Sequence, residues 1–151
     1  MGYSESSVQE TINRLTNLSN GTAGQELEAL CAKGLQVVQA HKGFILCRFI
    51  IHDRLSDEDG NWHAGAIAVL VDNLVGATTY SATGDFSVTV DYCISYYSKA
   101  KIHEEVEIEA KVVGMKGKLS SIVLEVRKKE TGELIALGKE WTTSAKVRAR
   151  L

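Results

Sequence analysis

Residues 61–80, Asn-Trp-His-Ala-Gly-Ala-Ile-Ala-Val-Leu-Val-Asp-Asn-Leu-Val-Gly-Ala-Thr-Thr-Tyr, are long enough to be one helix and apolar around nearly the whole circumference of it. A helix of that kind is buried inside its fold. It nevertheless carries an acid, Asp72, with no basic residue between Trp62 and Tyr80. Burying a lone carboxylate costs several kcal/mol, a large part of a domain's stability margin. Either local hydrogen bonds hold Asp72, or chemistry keeps it there. Among the residues at offsets of three, four and seven, which share its face, are Gly65, Ala68, Val75, Gly76 and Thr79. All but Val75 are small, which opens that face to a ligand or another backbone, while Ile67, Leu70, Val71 and Leu74 point elsewhere.

The start of the same segment has a second feature. Asn61 is a good N-cap type, and the amides of His63, Ala64 and Gly65 have no carbonyl four residues back to bond. Such amides favour negative charge and would stabilise the oxyanion of an ester or thioester. The plainer alternative is a tight helix start punctuated by Gly65.

At 151 residues and a net charge of -2, the chain is expected to be one domain without electrostatic affinity for nucleic acid. No apolar run reaches the ~18 residues of a membrane span, and no basic-then-apolar leader is present, so a soluble, non-secreted protein without stable membrane association is expected. Cys31, Cys47 and Cys93 suit buried thiols in a reducing compartment. His41, His52, His63 and His103 lack metal-ligand spacing, and there is no C-x-x-C, G-x-S-x-G, Walker or dinucleotide pattern. Neither a metal nor a cofactor is indicated.

Along the chain, Ser7-Val8-Gln9-Glu10 reads as a capping box leading a short helix to about Asn20-Gly21, with Val8, Ile12, Leu15 and Leu18 on one side. A second helix runs from about Ala23 to Lys33 and stops at Gly34. Both are expected to lie over the outside of the main body. Leu35 to Ala40 and Phe44 to His52 read as a hairpin, followed by a polar loop from Asp53 to Gly60 whose acids favour the next helix start. After the helix and the Gly84-Asp85 turn come strands over Phe86–Tyr97, Glu105–Val113, Leu119–Arg127 and Leu134–Ser144, spaced as an antiparallel meander. The expected fold is α+β, an antiparallel sheet of about six strands curled around one central helix at about 62–81. It divides into an N-terminal helical segment (1–34), the main domain (35–144) and an exposed tail (145–151).

From about Leu35 to Ser144 the chain resembles a hotdog-fold acyl-CoA thioesterase of the small PaaI-like, or acyl-CoA thioesterase 13, type. The resemblance rests on His63-Ala64-Gly65, on Asp72 nine residues after the histidine, and on Ser87 to Asp91 and Ile94 to Lys101 in the next strand. It implies hydrolysis of an acyl-CoA, with coenzyme A as part of the substrate, by a homodimer assembling to a tetramer with sites across the dimer interface. It further implies that the Ala64 or Gly65 amide binds the thioester oxygen. Asp72 of the other subunit is then general base or nucleophile, Thr89 assists the water, and His63 holds the geometry. Two departures stand out. Ala64 replaces the first glycine of the family's His-Gly-Gly, and Asp57 replaces an Asn that orients water or substrate. A carboxylate cannot donate that amide's hydrogen bond, so Asp57 either raises the pKa of Asp72 by repulsion or leaves the task to Asn61. For CoA, Lys99, Lys101, Lys116 and Lys118 are candidate phosphate partners, and Tyr96 can pack on the pantetheine or adenine.

Two alternatives accompany this reading: a non-catalytic acyl-CoA or lipid-binding protein of the same fold, and a hydratase, whose Asp and His motif is not found. Ala149-Arg150-Leu151 is a variant of the Ser-Lys-Leu peroxisomal address, so a peroxisomal location is expected, with the cytoplasm as alternative. Met1-Gly2-Tyr3-Ser4-Glu5-Ser6 formally fits a myristoylation pattern, although one acyl chain gives only marginal binding.

Overall fold

The apolar stretch folds as helix α3 (Ala64–Thr83), and everything else is laid around it in a computed structural model that describes residues 3–145. The candidate address at residues 149–151 and the Met1-Gly2 pattern lie outside the described residues. Before α3 come α1 (Tyr3–Ser19), α2 (Glu26–Ala32), strands β1 (Gln36–His41) and β2 (Phe44–Ile50) and a single 3-10 turn (Asp53–Leu55). After it come β3 (Ser87–Tyr96), β4 (Glu105–Lys116), β5 (Leu119–Lys128) and β6 (Leu134–Ser144).

Helix α3 stops where the sequence says it must. Gly84 adopts φ 72°, open to a residue without a side chain, and its amide closes on the Tyr80 carbonyl at 2.8 Å. Its start is later than Asn61 implies. His63 is the cap, its Nδ1 accepting the Gly65 amide at 2.9 Å, because Asn61 is held in the preceding loop by a bridge to Lys101. The Trp62 amide donates to Ala100 and the His63 amide to Leu55, both at 2.8 Å. The Trp62 ring is buried 5.5 Å from that of Phe49, so the helix start is anchored to β2.

All strand pairs are antiparallel, in the order β1-β2-β4-β5-β6-β3. The expected hairpins β1–β2, β4–β5 and β5–β6 form with glycines at positive φ in their turns, Gly43, Gly117 and Gly132. The meander expected of the last four strands is corrected at β3. Instead of pairing with β4, β3 takes the far edge against β6, and residues 97–104 carry the chain back to β4 beside β2. That place suits β4, whose Val106, Ile108 and Ala110 then lie opposite Phe49, Cys47 and Ile45, all buried.

The sheet's inner face packs on Ile67, Leu70, Val71 and Leu74 of α3, each at most 4% exposed. Close approach is allowed at Gly138 of β6, where a Cβ would lie 2.9 Å from Val71 Cγ1. Helices α1 and α2 cover the other side of α3, and they are part of the core rather than an outer layer: Leu15, Cys31 and Ala32 are buried within it. Helix α1 starts before Ser7, which is therefore no cap; its carbonyl accepts the Thr11 hydroxyl at 2.8 Å. Helix α2 starts at Glu26, with the Gln25 amide on Glu28 Oε2 at 3.3 Å. Cys31 and Cys47 are buried as expected, and burial pushes the Cys47 thiol up to about 12, whereas Cys93 is exposed on the outer face of β3. Among the described residues no helix is long and apolar enough to cross a membrane.

Candidate active site

Asp72 stands in the middle of α3, and the structure corrects its expected burial. In the single chain its carboxylate is exposed, opening into a cavity of about 580 Å³ between α1, α2, α3 and β3. The face it shares there is Asn73, Gly76, Ala77 and Tyr80, whereas Val75 and Thr79 turn into the core. A Cβ at Gly76 would meet nothing within 4 Å, so the helix is open on this side. Leu15, Leu18 and Phe86 supply apolar walls.

Thr89 meets Asp72 of its own chain, its Oγ1 lying 3.1 Å from Asp72 Oδ1. A bulge between Thr89 and Asp91 makes this possible, because it puts Thr89 and Tyr92 on the same face of β3 where strict alternation would separate them. Tyr92 donates to the Ala68 carbonyl at 3.0 Å and Tyr96 to the Ala64 carbonyl at 2.8 Å. These two carbonyls are one helical turn apart, so β3 is stitched along α3 by its tyrosines. Tyr96 is thereby tied to the helix start, with the residue 47% exposed.

The third member of the cluster was not anticipated. Glu140 of β6 is only 2% exposed, and its Oε1 lies 2.5 Å from Thr89 Oγ1. Burial first, then the neighbouring Asp72 carboxylate, push the Glu140 carboxyl up to about 8. Its Oε2, together with Thr142 Oγ1 and Asn73 Nδ2, has no protein hydrogen-bond partner, and all three residues line the same cavity. A signal existed in the sequence: Gly138, Glu140 and Thr142 alternate with Lys139 and Trp141, which places an acid on the inner face of β6.

The helix start is a separate place on the same chain. His63, Ala64 and Gly65 are exposed there. The expectation of three free amides narrows, since His63 N–H bonds Leu55 and Gly65 N–H is taken by the His63 ring. The Ala64 amide has no partner among the described residues. A Cβ at Gly65 would sit 3.1 Å from the imidazole, a tight contact that the His63 ring would have to yield to. Asp57 organises the loop before the helix: its Oδ1 accepts the Asp59 and Asn61 amides, both at 2.9 Å. The Asn61 amide holds its carboxyl below the usual range, with Lys99 and His63 nearby adding to the effect. Neither Asp57 nor Asn61 is placed against Asp72. Gly65 and Asp72 are seven residues apart along the helix, roughly 10 Å.

The four candidate lysines divide. Lys99 lies close enough to lower the Asp57 pKa and Lys101 bridges Asn61, so both flank the helix start. Lys116 and Lys118 flank the β4–β5 turn at the opposite end of β4, on the order of 30 Å away.

Comparison with known proteins adds independent findings. The sequence pattern of the thioesterase superfamily matches residues 59–135. Acyl-coenzyme A thioesterase 13 of Homo sapiens is 31% identical over 134 residues, covering 88% of this chain and 91% of that protein. Among solved structures, zebra fish thioesterase superfamily member 2 superposes with a TM-score of 0.81 at 24% identity, over 91% of this chain and 98% of that one. A hypothetical thioesterase protein with coenzyme A from Streptococcus pneumoniae TIGR4 superposes with a TM-score of 0.72 at 17% identity, over 78% of this chain and 90% of that one.

Proposed function

We propose that this chain, which belongs to the thioesterase superfamily and has its hotdog fold, hydrolyses an acyl-CoA to free acid and CoA at a site completed by a second copy. The observation that carries the reading is Asp72, an acid on an otherwise apolar helix, held by Thr89 and open to the cavity. In this reading Asp72 is general base or nucleophile, Thr89 orients it and the attacking water, and the apolar part of the cavity receives the acyl group. A volume of about 580 Å³ is within the usual range for small-molecule sites.

Distance supports the second copy. A thioester carbonyl bound at the Ala64 amide is too far from Asp72 of the same helix for attack, since reacting atoms must approach to about 3–3.5 Å. Another chain's helix start has to supply the oxyanion donor to this chain's Asp72. The edge strand β3 offers the means of association. Its outer side pairs with no strand among the described residues, and Val88 and Val90, with Phe86 just before it, are each more than half exposed. The dimer so formed assembles further to a tetramer in this reading. Lys99 and Lys101, beside the helix start, are placed to meet the CoA phosphates, with Tyr96 against the pantetheine. His63 holds the Gly65 amide, so the Ala64 amide is the donor for the oxyanion.

The test is thiol release from a panel of aliphatic and aromatic acyl-CoAs, run beside Asp72→Ala with sedimentation of both proteins. Loss of about a hundredfold or more in turnover with the oligomer intact is expected, the scale for removing a general base. An intact oligomer that binds acyl-CoA and releases no thiol would make the chain a binding protein instead. Sedimentation as a monomer at micromolar concentration would remove the shared site.

A further inference from the structure

Glu140 carries an inference that rests on the function proposed above and goes beyond it. It lies in the middle of β6, opposite Tyr92 of β3 and Ile122 of β5, with its side chain under Asp72 and Thr89. Thr89 Oγ1 is within hydrogen-bond distance of two carboxyl groups, 2.5 Å from Glu140 Oε1 and 3.1 Å from Asp72 Oδ1. A hydroxyl has one proton to donate. Were both acids ionised, one of the two contacts would set oxygen against oxygen without a proton, between like charges. The count closes when one acid is neutral and donates to the hydroxyl, which then donates to the other acid. Exposure decides which acid that is. Asp72 is open to the cavity and can keep its charge hydrated, whereas Glu140 is 2% exposed and its Oε2 has no partner.

We propose that Glu140 is a positioning residue held as a neutral carboxylic acid, donating to Thr89 Oγ1 so that Thr89 donates to Asp72 Oδ1 and keeps that carboxylate aimed into the cavity. The relay runs through atoms on three elements, β6, β3 and α3. The charged and titratable groups facing it are few. Asp72 comes from α3 and Tyr92 from β3, while β5 presents the apolar Ile122. Across the cavity Arg14 of α1 is stacked 4.4 Å from the Tyr80 and Phe86 rings, and Glu28 of α2 is a further acid. Among the described residues no cation helps to hold Glu140 ionised, and the Thr89 contact, which favours the charged form, is outweighed by burial and by Asp72. Its raised pKa agrees with the neutral form near pH 7.

The arrangement has a consequence at alkaline pH. When Glu140 loses its proton to solvent, Thr89 has two anionic acceptors for one proton, and Asp72 loses its fixed donor. Turnover should therefore fall above about pH 8. Glu140→Gln keeps a neutral donor in the same place, so it should retain turnover within about threefold and lose the alkaline fall, whereas Glu140→Ala should cost about tenfold, the value of one hydrogen bond.

The deciding experiment reads the proton itself. Infrared spectra of the intact protein near neutral pH should show the carbonyl band of a protonated carboxyl, which disappears as pH is raised past about 8 and is absent from Glu140→Gln. Absence of that band in the unmodified protein, or its persistence in Glu140→Gln, overturns the proposal. So does an alkaline fall in turnover that Glu140→Gln leaves unchanged. The infrared measurement needs no turnover, so it decides the state of Glu140 even where thiol release shows the thioesterase reading to be wrong.

Discussion

Replacing Gly138 by alanine tests the packing that places Asp72. Strand β6 is paired on both sides at this residue, with Leu124 of β5 and Ile94 of β3, so the backbone has little freedom to retreat. The new Cβ would start 2.9 Å from Val71 Cγ1, closer than side chains approach, and Val71 is itself 1% exposed. Overpacking of this kind costs about 1–3 kcal/mol. Removing a strand glycine returns roughly 0.5–1 kcal/mol. The net expectation is a loss of about 1–2 kcal/mol, or a fall in Tm of roughly 2–8 °C for a chain of this size. Val71→Ala alone should cost about 1–3 kcal/mol through the cavity it leaves. The alanine at 138 fills part of that space, so the double variant should be more stable than the sum of the two by at least about 1 kcal/mol. Urea denaturation of the four proteins at one protomer concentration measures the cycle. Val71 also adjoins Asp72, and a displacement of about 1 Å at a reacting group can cost up to about a hundredfold. Turnover of Gly138→Ala should therefore fall and recover in the double variant. Strict additivity, or a Gly138→Ala protein as stable as its parent, would refute the claim that this glycine sets the distance between helix and sheet.

Two further outcomes follow from the same cluster. Thr89→Ala removes the hydroxyl between the two acids and should lower kcat by about tenfold, less than loss of Asp72, because the base survives without its donor; an unchanged rate would make Thr89 purely structural. Stability should depend on pH through Glu140. Its carboxyl is raised from the ordinary 4.5 to about 8, so between those values the folded chain holds a proton that the unfolded chain has lost. Stability from this group is full below 4.5 and falls as pH rises to about 8, by up to ~1.4 kcal/mol per pH unit. Urea midpoints across that window should slope less in Glu140→Gln than in the unmodified protein, and equal slopes would contradict the assignment.

Much of this molecule is local and therefore legible in its sequence. A helix-length segment apolar on nearly every side and closed by Gly84, and alternating segments such as Val106 to Ala110, specify a buried helix and half-buried strands through their own side chains. Asp72 is conspicuous for the same reason, a charge where the pattern calls for none. Thr89 was reached through the family resemblance rather than through any local feature. What the sequence could not convey depends on partners far along the chain. Asn61 has the chemistry of a cap, but its backbone is drawn into the bridge with Lys101, and His63 caps instead. The strand β3 alternates like its neighbours, which does not say which strand it pairs with, and the chain passes through α3 before β3 takes its place beside β6. Lys99 and Lys116 look equivalent as loop lysines until the length of β4 separates them. The alternation of β6 gives Glu140 an inward phase, but it does not say what the acid meets there. Burial is a property of the assembled layers, and so is the meeting of Glu140 with Thr89 and Asp72, which needs three elements in register and a bulge to turn one side chain. The sequence by itself determined the helix, the strands and one acid on an otherwise apolar helix; the tertiary structure alone decided that this acid is open to a cavity and which second acid shares its hydrogen bond, because that contact exists only between segments that no local pattern connects.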